Sequence, residues 1–401
     1  MKSGNRWINA AIPALMIHGC IGTVYCWSLL TDAIHESVGD GYEWAFSLAI
    51  FFLGLSAAFL GPLVERDVRR SSLYSMLFFS AGMILSGVAC WIGSLPLFFI
   101  SYGVIMGVGL GLGYLSPVKT LILWFKDNKG LATGLAISGF GLAKVIATPS
   151  LEWVMDNYGI VTMFISHGIF YAVIMFVGSR LLKKPLGTEA DKSKPLTLSH
   201  WASMLGKVLK LPGLWAYWMM FFLNITAGLA IISHEKVLFN MAGYGEYLAT
   251  SLMLCALFNT LGRFVVSWGS DLLKNRLKIF VAVLAISSGV CLLSYTSSVM
   301  WLVALAVLLC NCGYGAIFST MPCALSDRYG VGSVSEVHGV ILSAWAFAGL
   351  CGNQLANFVL SQSDSNAASI LVAAGVIYAV GLTISIYYYV TTRKTQKSWG
   401  C

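Results

Sequence analysis

Charge is what this chain has least of. Only 10% of its 401 residues are Asp, Glu, Lys or Arg, against 58% hydrophobic, where a soluble domain carries about 25% charged residues. That leaves too little water-facing surface for a soluble globule, so the chain reads as a polytopic, all-α membrane protein. Acids are scarcer than bases, 17 against 25, and none falls in the middle of an apolar stretch. An embedded cation would then lack a carboxylate partner, and no membrane-buried acid is at hand to carry a proton. The ten cysteines lie mostly within apolar stretches and show no CxxC spacing; Cys310 and Cys312 are the closest pair. They read as small apolar packers, so no disulfide framework, metal site or cofactor is expected. The spans hold no nucleophile, base and acid set, which argues against a membrane enzyme. GVGLGLG (107–113) lacks the strand, turn and helix of a phosphate-binding loop.

What the chain has is apolar length. Twelve stretches of about 20 residues read as spanning helices: 7–30, 44–64, 73–95, 98–125, 131–151, 161–182, 211–233, 247–270, 279–297, 300–325, 337–360 and 367–389. The first is longer than a signal-peptide core and lacks a clear cleavage site, so it is expected to be retained. Of the 25 Lys and Arg, all but Lys119, Lys144, Lys236 and Arg263 fall at the N-terminus, in every second loop or at the C-terminus. The loops between carry acids: Asp32, Glu36, Asp40 and Glu43 before the second span, Glu246 before the eighth. This bias places both termini in the cytoplasm. The net charge of +8 is therefore an orientation signal, and nucleic-acid binding is not expected.

The longest polar segment, 183–210, is Lys-rich and divides the chain into 1–182 and 211–401, six spans each. It suits a cytoplasmic linker. The parts echo each other. GPLVERDVRRSS (61–72) and SDLLKNRLK (270–278) both put an acid just past a span and bases after it. Glu65, Arg66, Arg69 and Arg70 in one, and Asp271 and Arg276 in the other, are candidate latches between helix ends; capping and topology explain such charges equally. Small residues recur at Gly103, Gly107 and Gly111 and at Gly134, Ser138 and Gly141, which lets helices approach closely in lipid. Repeated six-helix parts suggest a pseudo-symmetric transporter with a central site.

Arg263 stands in LFNTLGRFVVSW (257–268). A guanidinium keeps its proton wherever the chain carries it. It lies eight residues before Asp271, about 12 Å of helix. A charge that deep costs about 2.5–3.5 kcal/mol and faces a cavity or partner, so Arg263 awaits carbonyls, water or an anion from outside. Lys144 is also deep, and either faces the cavity or stretches to the outer headgroups near Glu152 and Asp156. Lys119 is near enough to an end to snorkel, and Lys236, beside His234 and Glu235, reads as interfacial. Tyr25, Trp27, Tyr114, Tyr314, Phe318 and Trp345 are mid-span aromatics able to shape an anion site. Asn259 lies one turn before Arg263 on the same face and is placed to donate to the same ligand. His18, the sole histidine of the first span, is a candidate proton relay or a packing residue.

With these residues in place, GPLVERDVRR resembles the signature loop of the major facilitator superfamily, with Val68 where glycine is usual. GNRW (4–7), YCWS (25–28), WFKDNKGLATG (124–134), GFGLA (139–143), the L-x-x-P-x-x-W stretch from Leu209 to Trp215, and NTLGR (259–263) resemble the oxalate/formate antiporter family within it, with kinship to monocarboxylate transporters. The resemblance covers nearly the whole chain. It implies that Arg263 holds a substrate carboxylate and that Tyr25, Tyr114, Tyr314 and Phe318 surround it. The oxalate exchanger adds a lysine in the eleventh span, where this chain has Trp345. One cation fewer implies one carboxylate fewer, unless Lys144 substitutes. Proton-coupled carriers have an aspartate one turn before the arginine, where this chain has Asn259.

The expectation is a twelve-helix secondary transporter in the plasma membrane, functional as a monomer. Its cargo would be a small organic monocarboxylate of the pyruvate, lactate or formate type. Oxalate or dicarboxylate exchange is the alternative, and a carboxylate-binding membrane sensor is the alternative of another class.

Overall fold

The computed structural model describes residues 5–125, 129–185, 198–296, 300–330, 334–363 and 366–398. Among them every regular element is helical. In lipid, where no water can satisfy backbone groups, helices close that account within one segment. Besides the short helix Gly61–Arg66, the helices are α1 (Trp7–Val38), α2 (Glu43–Phe59), α3 (Val68–Ile92), α4 (Leu95–Trp124), α5 (Lys129–Leu181), α6 (Leu198–Val208), α7 (Leu214–Ile232), α8 (Glu235–Met241), α9 (Gly245–Leu272), α10 (Leu277–Thr296), α11 (Met300–Tyr329), α12 (Val334–Gln362) and α13 (Ala368–Ser398).

Among the described residues ten helices are long and apolar enough to cross a membrane, and α2 is a shorter apolar helix. The count differs from the twelve stretches read in the sequence for two local reasons. The second stretch forms a regular helix of only 17 residues before Leu60 leaves helical geometry. The fifth and sixth run together as α5, 53 residues long, with non-helical φ 79° and ψ 166° at Gly159. A residue with a Cβ rarely takes that φ, so glycine is what lets the chain turn there.

Helix ends follow from local chemistry. Asp67 caps α3, its Oδ1 accepting from Arg69 N and Arg70 N, both at 3.1 Å. Gly93 ends α3 in the left-handed region. Of the candidate latch residues, Arg70 Nε lies 3.6 Å from Asp67 and Arg66 is exposed. The Glu65 side chain lies outside the described residues. Beyond α9, Arg276 bonds Asp271 at 2.7 Å and also pairs with Asp327.

The helices before residue 186 meet those after 198 along two seams. On one, α2 packs on α12, and Asn353 Nδ2 donates to Glu43 O at 3.0 Å. On the other, α5 packs on α9: Gly130 N donates to Asp271 Oδ1 at 3.1 Å, and Thr133 Oγ1 lies 3.2 Å from Ser267 Oγ. The candidate site lies between these seams.

Candidate functional site

Arg263 is fully buried. It sits in a widened, π-helical turn of α9, Gly262–Val266, a distortion that is frequent at functional sites. Gly315 of α11 admits it: a Cβ there would lie 2.2 Å from Asn259 O and 3.0 Å from Arg263 Cγ. Arg263 Nε donates to Asn259 Oδ1 at 2.6 Å. Asn259 thus fixes the guanidinium itself, where the sequence placed it as a donor to the ligand. Among the described residues Nη1 and Nη2 have no hydrogen-bond partner.

Aromatic rings surround the cation. Their centroids lie 5.0 Å (Phe318), 5.7 Å (Phe140), 5.8 Å (Tyr314) and 6.0 Å (Tyr25) from Arg263 Cζ. A ring face attracts a cation by about 0.5–2 kcal/mol, most when water is excluded. Trp345 extends the cluster, 4.5 Å from Phe318 and 5.4 Å from Tyr114. The Tyr25 and Tyr314 hydroxyls bond each other at 2.8 Å. The Tyr114 hydroxyl and Trp345 Nε1 are buried without a partner. The cluster therefore offers a cation and several unused donors. Leaving such groups unmatched in a low dielectric is costly.

Lys144 has a different fate. It is buried, and its Nζ pairs with Glu235, whose side chain is 0% exposed. Asn311 Nδ2 donates to the other carboxylate oxygen at 2.9 Å. This corrects two expectations: an acid does lie inside the protein, and Lys144 does not stretch toward Glu152 and Asp156. Glu235 opens α8 immediately after the turn at Ser233–His234, and that turn tucks its side chain inward. Lys236, next in sequence, points outward and pairs with Asp32 at the end of α1.

A cavity of about 10 Å³ is lined by Tyr25, Gly141, Lys144, Ile232, Asn259 and Asn311 among others, so Lys144 touches it directly and Arg263 adjoins it only through Asn259 and Tyr25. The cavity has room for about one water. His18 stacks on Tyr114, ring centroids 5.8 Å apart, with Nδ1 against Ala136 O and Nε2 3.1 Å from Tyr114 O. Both ring nitrogens already face backbone carbonyls. Trp27 packs away from Arg263, stacked on Phe46 at 5.4 Å. Lys119 is half-buried. Phe140, Asn311 and Glu235 were not singled out as site residues from sequence. For Phe140 a signal existed in its flanking glycines, Gly139 and Gly141, which bring α5 close to α1 and α9.

The profile of the Major Facilitator Superfamily matches residues 8–353. The chain belongs to that superfamily. It is a multi-pass membrane transporter rather than an enzyme. The oxalate:formate antiporter of Oxalobacter formigenes is 24% identical over 380 residues, covering 92% of this chain and 88% of that one. The apicoplast pyruvate carrier 1 of Toxoplasma gondii is 25% identical over 190 residues, covering 36% and 34%. In fold, the superfamily transporter FucP, solved in its outward conformation, aligns with TM-score 0.69 at 15% identity, over 94% of this chain and 97% of that one.

Proposed function

We propose that this superfamily member is a secondary transporter that carries a small organic monocarboxylate of the pyruvate, lactate or formate type past Arg263 by alternating access. The observation that carries the reading is the buried guanidinium with two unbonded terminal nitrogens inside an aromatic cluster. A carboxylate matches it in charge and in fork geometry. Tyr114 and Trp345 supply further donors, and Tyr25, Tyr314 and Phe318 supply the walls. Lys144 already has a carboxylate of its own, which favours one carboxylate on the cargo rather than two.

The architecture in this reading is twelve spanning helices in two six-helix bundles, 1–182 and 211–401, joined by a cytoplasmic segment, 183–210, with both termini cytoplasmic. The break at Gly159 supports counting α5 as two spans, and the segregation of basic residues supports the orientation. In this reading the protein functions as a monomer. Anion docking lowers the cost of carrying charge through the low-dielectric centre, and the bundles then rock about the site. Oxalate exchange is the second reading, favoured by the match to the oxalate:formate antiporter over most of both chains.

The test is uptake of labelled pyruvate and labelled oxalate into liposomes holding the purified protein, with and without unlabelled anion inside. Pyruvate uptake with oxalate ignored is the expected result. Oxalate uptake that depends on internal anion would overturn the monocarboxylate reading in favour of exchange.

A further inference from the structure

Lys144 lines one cavity and is paired with Glu235, while Arg263, with no carboxylate partner among the described residues, stands behind the lining residues Asn259 and Tyr25. Arg263 reaches it through Asn259, and Lys144 and Asn311 line it directly. Glu235 stands behind Lys144 with both carboxylate oxygens engaged, one by Lys144 Nζ and one by Asn311 Nδ2 at 2.9 Å. The fixed charges of Arg263, Lys144 and Glu235 therefore sum to +1. A monoanion brings that sum to zero. A dianion leaves one negative charge uncompensated where water is nearly absent, which is strongly disfavoured.

We infer that Glu235 is a specificity-determining residue: by masking Lys144 it sets the site for singly charged carboxylates and excludes dicarboxylates. The inference rests on the reading of Arg263 as the anion's dock and goes beyond it by assigning selectivity to a residue outside the Arg263 cluster. Asn311 is a positioning residue here, because it holds the carboxylate that does the masking. The pair also bridges α5 and α8, so Glu235 has a packing role that any test must separate from its charge.

The experiment measures labelled pyruvate uptake in proteoliposomes, with external oxalate as competitor and labelled oxalate uptake in parallel. Glu235→Gln keeps the shape and frees Lys144, raising the fixed charge to +2. The oxalate-to-pyruvate ratio is expected to rise by about tenfold or more. Lys144→Gln with Glu235→Gln returns the charge to +1, and the wild-type preference is expected back. An unchanged ratio in a membrane-inserted Glu235→Gln protein overturns the inference, as does a double variant that keeps accepting oxalate.

If Glu235→Gln does not fold, the lysine variant decides. Lys144→Gln alone drops the charge to zero and is expected to weaken pyruvate uptake about tenfold or more, with recovery when Glu235→Gln is added. A purely structural role gives no recovery, and that result overturns the inference. A wild type that carries neither anion, or that prefers oxalate, sinks the reading of the site and this inference with it. A wild type that prefers pyruvate, with a ratio Glu235→Gln does not move, sinks this inference alone.

Discussion

Arg263 is legible in the sequence because a permanent cation in an apolar run is costly and has to be accounted for. Its surroundings are only partly legible. Tyr25, Tyr114, Tyr314, Phe318 and Trp345 were named from their mid-span positions, and the structure gathers them. Trp27 had the same credentials and turned the other way, because which face of a helix looks inward is decided by packing. Asn259 gains a role in the structure. Its Oδ1 holds Arg263 Nε at 2.6 Å, so it orients the fork in addition to lining the cavity. Hydrogen bonds to a charged group are worth about 1.5–3 kcal/mol. Asn259→Leu is therefore expected to raise the KM for pyruvate about tenfold or more, with the amount of protein in the membrane unchanged. The concentration dependence of uptake measures it, and an unchanged KM would show that the guanidinium needs no orienting partner.

At the scale of elements, hydropathy finds the helices because the bilayer imposes their length. It does not find their irregularities. The widened turn around Arg263, the 3₁₀ turn Gly22–Cys26 that carries Tyr25, and the reversal at Gly159 all depend on contacts with other helices. Glu235 shows why this matters. In sequence, His234, Glu235 and Lys236 look like three polar residues at an interface. In the structure, a turn after α7 sends Glu235 inward to Lys144 and Lys236 outward to Asp32. Adjacent residues take opposite environments, and composition alone has no means of separating them. The absence of embedded acid, which the sequence reading sets against a charge partner for Arg263, rests on span boundaries, and α8, which carries Glu235, falls just outside one.

In the whole molecule, contacts join the two parts on both sides of the site. Asp32 with Lys236, and Lys144 with Glu235, join the two parts at one end. Gly130 with Asp271 joins them at the other, 14 residues along α5 from Lys144, or about 21 Å of helix. The cavity between holds about 10 Å³, too little for a carboxylate, so in the proposed reading the cargo enters only when one set of contacts parts. The Asp32 pair is partly exposed, its side chains 70% and 25% open to solvent, and a surface pair contributes little stability. It marks the closing surface rather than holding it shut. Replacing Asp32 and Lys236 with cysteines and oxidising them is expected to stop pyruvate uptake, and a reductant to restore it. Uptake that continues through the cross-linked protein would show that this end does not need to open.

The central claim is that one buried, unshared cation receives the cargo. Its most direct test is labelled pyruvate uptake by equal amounts of wild-type and Arg263→Gln protein in liposomes, with correct insertion of both verified. Gln keeps polarity and removes the charge. The account predicts saturable uptake for the wild type and none above protein-free liposomes for the variant. Saturable uptake by Arg263→Gln with an unchanged KM would contradict it.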